Sequence, residues 1–291
     1  MNQLLEDLIN VMTLERLEMN LFRGESRDIG SPQVFGGQVL GQALVAATAT
    51  AEDRVVHSLH AYFLRRGDFN APIVYEVDRA LDGNHFSSRR VVAIQHGRQI
   101  FNMSASFQAA ETGLDHQAAA PPVPGPEELE DVETLYRRVA ADAPPSLRRL
   151  LERKRPFEFR PVNPTDFFRR EKLPPLKYVW VRAVDALPDD EALHRCLLAY
   201  VSDYYLLDTA LMPHAVSMVS PRLMIASIDH AMWFHRRVRV DDWLLFATDS
   251  PSASGARGFT RGSVFGRDGQ LVASASQEGL IRVKTPQADS P

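Results

Sequence analysis

Between residues 36 and 50 (GGQVLGQALVAATAT), Val39, Leu40, Ala43, Leu44 and Ala47 recur at helical spacing, and the pattern predicts one amphipathic helix. The period then changes. Four runs rich in β-branched and aromatic residues follow, at 55–65, 72–80, 86–96 and 99–108, and read as strands. Arg66-Gly67-Asp68, Asp82-Gly83-Asn84 and His96-Gly97-Arg98 mark the turns between them. The same order returns in the second half. A helical stretch over 191–211 precedes strands at 222–234, 241–249, 257–266 and 271–283, with Arg267-Asp268-Gly269 as a turn. A further strand precedes each helix, near 18–26 and 176–184.

The repeat extends to individual residues. RVVAIQHGRQIF (90–101) aligns without a gap on RGSVFGRDGQLV (261–272), pairing Arg90 with Arg261 and Gln99 with Gln270, 171 positions apart. HAYFLRR (60–66) matches HAMWFHRR (230–237), which places His60 on His230 and His57 on Ser227. One helix against antiparallel strands, occurring twice, describes an α+β chain of two units. The boundaries read as 1–109 for the first unit and 156–291 for the second. Residues 110–155 form a connector carrying the Pro-rich AAPPVPGPEELED and short helices at 128–141 and 145–154. Pairing the two sheets edge to edge would cover two aggregation-prone edges.

Composition narrows the function classes. A net charge of −4 gives no global positive field for nucleic acid or an anionic membrane. One cysteine, Cys196, excludes an intramolecular disulfide and any multi-cysteine metal site, and the pattern around it reads as apolar packing. No run of about 18 apolar residues is present, and MNQLLEDLINVM is not a signal peptide, so a cytoplasmic location is expected. The G-x-S-x-G elbow of the α/β-hydrolases is absent.

VFGGQVLGQAL (34–44), VHSLHAYFLRRGD (56–68) and DGNHFSSRRVVAIQHG (82–97) resemble the acyl-CoA thioesterase II family. So do YVSD (200–203), SIDHAMWFHR (227–236), ARGFTRG (256–262) and SASQEG (274–279). The likeness runs from about residue 10 to 283 and is weakest in the connector. It implies a double hotdog, two fused units each with a long helix wrapped by an antiparallel sheet. It also implies hydrolysis of fatty acyl-CoA to free fatty acid and CoA without cofactor or metal, in a homo-oligomer, a dimer or tetramer of double hotdogs. The catalytic set it implies is Asp203, Ser227 and Gln277, with Asp203 as base and the other two orienting a water.

That chemistry suits these residue types, because thioester hydrolysis needs a positioned water, a base and donors for the oxyanion. The start of the helix at Gly36 and Gly37 is a candidate oxyanion site. Ser227, Asp229 and His230 lie together in the sequence but not as a triad, since neighbouring residues of a strand face opposite ways. Asp229 would share a face with Ser227, and both Asp229 and His230 read as structural groups satisfied within the core. His57 stands at the Ser227 position of the first half and is a second candidate contributor, although Ser106 stands where Gln277 would. Arg236, Arg257 and Arg261 are candidates for the CoA phosphates. Two other readings stay open: a non-catalytic acyl-CoA-binding hotdog, and an acyl-thioester hydratase or dehydratase that would use His57 or His85.

Overall fold

The helical spacing at 36–50 and the alternation after it build a half-molecule of one helix against a sheet. In the computed structural model, residues 1–29, 33–140, 143, 148, 151–164, 171–218 and 220–284 are described. The first half holds α1 (Gln3–Met12), β1 (Glu15–Glu18), β2 (Leu21–Gly24), α2 (Gly36–Thr48), β3 (Val55–Phe63), β4 (Ile73–Asp82), β5 (Phe86–Gln95) and β6 (Arg98–Gln108). After α3 (Val132–Ala140), the second half holds β7 (Phe157–Pro161), β8 (Leu176–Ala183) and α4 (Glu191–Ser202). It continues through β9 (Leu223–Ser227), β10 (Asp229–Phe234), β11 (Leu244–Ser254), β12 (Arg257–Gly266) and β13 (Leu271–Val283).

The strands join in one antiparallel sheet, ordered β1-β2-β4-β5-β6-β3-β10-β13-β12-β11-β8-β7, with β9 on β13. The halves meet at β3 and β10, where Ala61 stands opposite His230. Leu40 and Leu44 of α2 and Leu197 and Leu198 of α4 share one buried core with inward residues of both halves. This is the double hotdog. The two helices touch: a Cβ on Gly37 would lie 2.2 Å from the Tyr200 carbonyl oxygen, and one on Gly41 would lie 3.3 Å from that of Cys196. Glycine is required at position 37 because no side chain fits there.

Four expectations change on inspection. The strand read at 222–234 is two strands, broken at Ile228, whose N–H donates to the Glu278 carbonyl and whose own carbonyl accepts from the Phe63 N–H. The helix read over 191–211 ends at Ser202, and a 3₁₀ segment, Leu207–His214, continues the chain. Apolar spacing carried on past the true end, through Leu206 and Leu207, because both remain buried. The strand read at 18–26 is the β1–β2 hairpin. The equivalence of His60 with His230 is displaced by one residue. His60 is exposed against the Trp233 ring, while His230 is wholly buried. A slip of one residue moves a strand side chain to the other face.

The connector helix read at 128–141 appears as α3, while half of the one read at 145–154 lies outside the described residues. Alternation and helical spacing gave no notice of α1 and β7. Further along the connector, Ala120, Val123 and Leu129 cover a second apolar cluster of Trp180, Trp243, Leu245 and Phe265, and the Trp180 Nε1–H donates to the Pro124 carbonyl at 2.9 Å. No helix among the described residues is long and apolar enough to cross a membrane.

Candidate active site

Asp203 caps the C-terminal end of α4, and its side chain is 5% exposed. Helix end and strand break bring the three expected residues together. The Gln277 Nε2–H donates to Asp203 Oδ1 at 2.6 Å, from the inward face of β13. Ser227, the last residue of β9, hydrogen-bonds the same carboxylate, as does the Gly37 N–H at the start of α2. Gly36 gives the carboxylate room, since a Cβ there would lie 2.7 Å from Asp203 Oδ2.

Burial and hydrogen bonding act on Asp203 in opposite directions. Loss of solvent favours the neutral acid and is the larger effect. Donation from Gln277, Gly37 and Ser227 favours the anion. The balance raises the carboxyl to about 6, from an ordinary value near 3.8. A carboxylate so placed is ionised at neutral pH and is more basic than one in water.

His230 is held without charge. Its Nε2 lies 2.9 Å from Ser202 Oγ, and its Nδ1 lies 3.2 Å from Gln277 Nε2. The Ser202 hydroxyl donates to the Ala199 carbonyl, so it accepts from Nε2–H, and Nδ1 accepts from the Gln277 amide. Both amide hydrogens of Gln277 are thereby committed, one to Asp203 and one to His230. This fixes the amide orientation and directs Oε1 away from both. That oxygen is buried and has no hydrogen-bond partner among the described residues. Burial lowers His230 to about 3, consistent with a neutral ring.

Asp229 and His230 read in the sequence as structural groups of the core, and His230 bonds Gln277 inside the site. Asp229 accepts from the Glu278 N–H at 2.6 Å, beside the strand break, and does not join Ser227. The role of His230 in orienting Gln277 was not legible. The only sequence signal was a histidine followed closely by apolar residues, which is also how an ordinary core histidine appears.

His57 is bonded elsewhere. Its Nε2 lies 2.8 Å from Ser106 Oγ, and burial followed by the nearby Arg195 charge lowers its pKa. Arg195 and Asp203 are eight residues apart on α4, about 12 Å along its axis. The matching helix end in the first half carries Ala49 as its cap and has no acid there. His85 is exposed.

The three arginines are all engaged. Arg236 pairs with Asp115, Arg257 with Glu278 at 2.9 Å, and Arg261 with Asp249. Cys196 is buried, which pushes its thiol up to about 12, so it is no thiolate nucleophile. No group of three or more metal-ligating side chains occurs among the described residues.

Residues 146–280 match the sequence profile of the acyl-CoA thioesterase family, and residues 23–108 match that of the acyl-CoA thioesterase N-terminal domain. Acyl-CoA thioesterase 2 of Haemophilus influenzae is 43% identical over 283 residues, which cover 97% of this chain and 99% of that protein. Human acyl-coenzyme A thioesterase 8 is 42% identical over 289 residues, covering 96% and 90%. Among solved structures, an acyl-CoA thioesterase II from Mycobacterium marinum superposes with a TM-score of 0.78 at 40% identity. That match covers 96% of this chain and 99% of the other.

Proposed function

The chain belongs to the acyl-CoA thioesterase II family and is an acyl-CoA hydrolase, and from this premise we propose that a water held by Asp203, Ser227 and Gln277 attacks the thioester directly. The observation that carries the reading is the buried carboxylate raised to about 6 with both expected partners hydrogen-bonded to it. A base with this value is ionised at neutral pH yet accepts a proton readily.

The water gives one hydrogen bond to Asp203 and is oriented by Ser227 and Gln277, whose own bonds to the carboxylate fix the direction of the acceptor. Its lone pair then faces the thioester carbon, and positioning supplies much of the rate. As the carbon–oxygen bond forms, Asp203 takes the proton, and the carbonyl oxygen becomes an oxyanion. The Gly37 N–H is committed to Asp203, so the oxyanion donor at the start of α2 is the Gly36 N–H, aided by the helix dipole. Collapse of the intermediate breaks the carbon–sulfur bond. Asp203 returns its proton to the departing CoA sulfur, giving fatty acid and CoA. Phe35, Tyr200 and Tyr204 stack edge-on beside the carboxylate, with ring centroids 4.7 to 5.3 Å from Phe35, and suit an acyl chain.

Ser227 is an orienting group in this scheme. A serine nucleophile activated by Asp203 would use the same contact, and the two differ in what accumulates. Release of CoA from saturated acyl-CoAs is expected to fall about a hundredfold in Asp203→Asn. Ser227→Ala is expected to retain measurable turnover, with no acyl-protein adduct in intact-mass spectra of the wild type. Full activity in Asp203→Asn, or an acyl group on Ser227, would sink the scheme.

No equivalent centre is proposed for the first half, where His57 bonds Ser106 and the helix end carries Ala49 in place of an acid. A cytoplasmic location and further assembly of double hotdogs are parts of the same proposal.

A further inference from the structure

Ser202 and Asp203 are neighbours at the end of α4, and a buried hydrogen-bond path leaves one and returns to the other. It runs from Ser202 Oγ to His230 Nε2 at 2.9 Å, from His230 Nδ1 to Gln277 Nε2 at 3.2 Å, and from Gln277 Nε2 to Asp203 Oδ1 at 2.6 Å. Ser202 and Gln277 are each 1% exposed and His230 is wholly buried. The Ser202 hydroxyl also lies 2.9 Å from the Ala199 carbonyl oxygen and 3.3 Å from Met232 Sδ.

Such a path has two self-consistent settings, because the hydroxyl, the imidazole and the amide can each give or take a hydrogen bond. In the first, the Ser202 O–H donates to Ala199 and His230 carries its hydrogen on Nε2. Gln277 then gives one amide hydrogen to Nδ1 and the other to an ionised Asp203. In the second, every bond reverses. The Ser202 O–H turns to Nε2, the ring hydrogen sits on Nδ1, and the Gln277 amide is turned over so that its oxygen accepts. With that oxygen in the place of Nε2, 2.6 Å from Oδ1, Asp203 must hold a proton taken from solvent, because two acceptors this close repel without a hydrogen between them. The first setting holds a base. The second holds a neutral acid that cannot take a proton from water.

The choice between them is made at Ser202. Ala199 carries one of the last four carbonyls of α4, which the helix itself leaves without a partner, and it draws the Ser202 hydrogen. With that hydrogen committed, Ser202 Oγ can only accept from His230. We propose that Ser202 is a positioning residue for hydrolysis, which through the His230 tautomer holds the Gln277 amide as a donor and keeps Asp203 ready as the base. The proposal rests on the reading of Asp203 as the base.

The titratable groups around Asp203 are few. β10 presents His230, whose Nδ1 lies 3.9 Å from Asp203 Oδ1, and the residues after α4 present Tyr204, itself acted on by the Arg155 and Arg153 charges. α2 faces the carboxylate with Gly36 and Gly37, β9 with Ser227 and β13 with Gln277, none of which titrates. Burial alone acts on the His230 ring. A change in the pH profile on altering Ser202 therefore reads the path itself.

The test records kcat and KM for a saturated acyl-CoA against pH in the wild type, Ser202→Ala and Ser202→Thr. Imidazole nitrogen NMR reads the His230 tautomer in the same proteins. In Ser202→Ala the acid limb of kcat/KM is expected about one pH unit higher, the equivalent of one hydrogen bond to a charged group. Turnover then falls about tenfold at pH 5 and returns towards the wild type by about pH 9, where Asp203 is ionised without help. KM is expected to be unchanged, because Ser202 acts through other residues. Ser202→Thr keeps the hydroxyl and is expected to restore the wild-type limb. An unmoved limb in Ser202→Ala, or a loss equal at every pH, which a merely structural serine would give, overturns the proposal. The wild-type tautomer needs no variant to fold: hydrogen on Nε2 at pH 8 supports the path, and hydrogen on Nδ1 overturns it. Full activity in Asp203→Asn would remove the base, while a ring hydrogen that leaves Nε2 in Ser202→Ala would still show Ser202 setting the path.

Discussion

At the scale of a residue, Asp203 shows how catalysis is set against stability. Its carboxyl, raised to about 6, predicts that kcat/KM for acyl-CoA climbs with pH through about 6 and is level above it. His230, lowered to about 3 and lacking a charge across this range, cannot supply that limb. A rate profile still flat down to pH 5 would remove Asp203 as the base. The same elevation has a stability consequence of definite sign. The folded chain binds this proton more tightly than the unfolded chain, whose carboxyl titrates near 3.8. Below that value both states are protonated, and the buried acid carries no charge penalty. Stability falls as pH rises from about 4 to 6, and the full penalty remains above. At about 1.4 kcal/mol per pH unit it is on the order of 3 kcal/mol. Asp203→Asn is therefore expected to resist urea better than the wild type at pH 8, by up to about that amount, and to show no such gain at pH 4. Equal stability at both pH values would mean that the carboxylate is compensated more fully than its surroundings indicate.

At the scale of an element, the close crossing of α2 and α4 is what delivers Asp203 to the start of α2. In Gly37→Ala the new Cβ would lie 2.2 Å from the Tyr200 carbonyl oxygen, a backbone atom, so the helices must part. We expect about 2–3 kcal/mol of lost stability from such overpacking, together with lost turnover, because the Gly37 N–H moves off the carboxylate. Gly113→Ala meets nothing within 4 Å and serves as the neutral control in thermal melts and CoA-release assays. Most element positions were legible in the sequence. β12 and β13 occupy the residues that alternation and turn signals marked, and the 171-residue repeat announced two similar halves. The site was legible only through the family resemblance. Physical pattern alone ran helix α4 past Asp203, because buried Leu206 and Leu207 kept its apolar spacing going. It also fused β9 to β10, because Ile228 suits a strand whether or not its neighbours pair in register. The break there depends on where Glu278 and Phe63 lie, which is long-range information.

At the scale of the whole molecule, the pairing of β3 with β10 and the shared core make two halves into one cooperative body. Calorimetry is expected to give a single unfolding transition, with calorimetric and van't Hoff enthalpies equal. Two resolved transitions would mean that the halves hold together less strongly than a continuous sheet implies. The unlike pairs in the two halves, Ser227 with Gln277 and His57 with Ser106, point to something outside thermodynamics. In an assembly of identical subunits, every substitution is copied into each equivalent position, so a change that suits one site is imposed on the other. With both halves written in one chain, that coupling is gone. One pocket can be held constant by selection for hydrolysis while its counterpart drifts or takes on a new duty, and the sequence becomes a place where an old symmetry is free to decay.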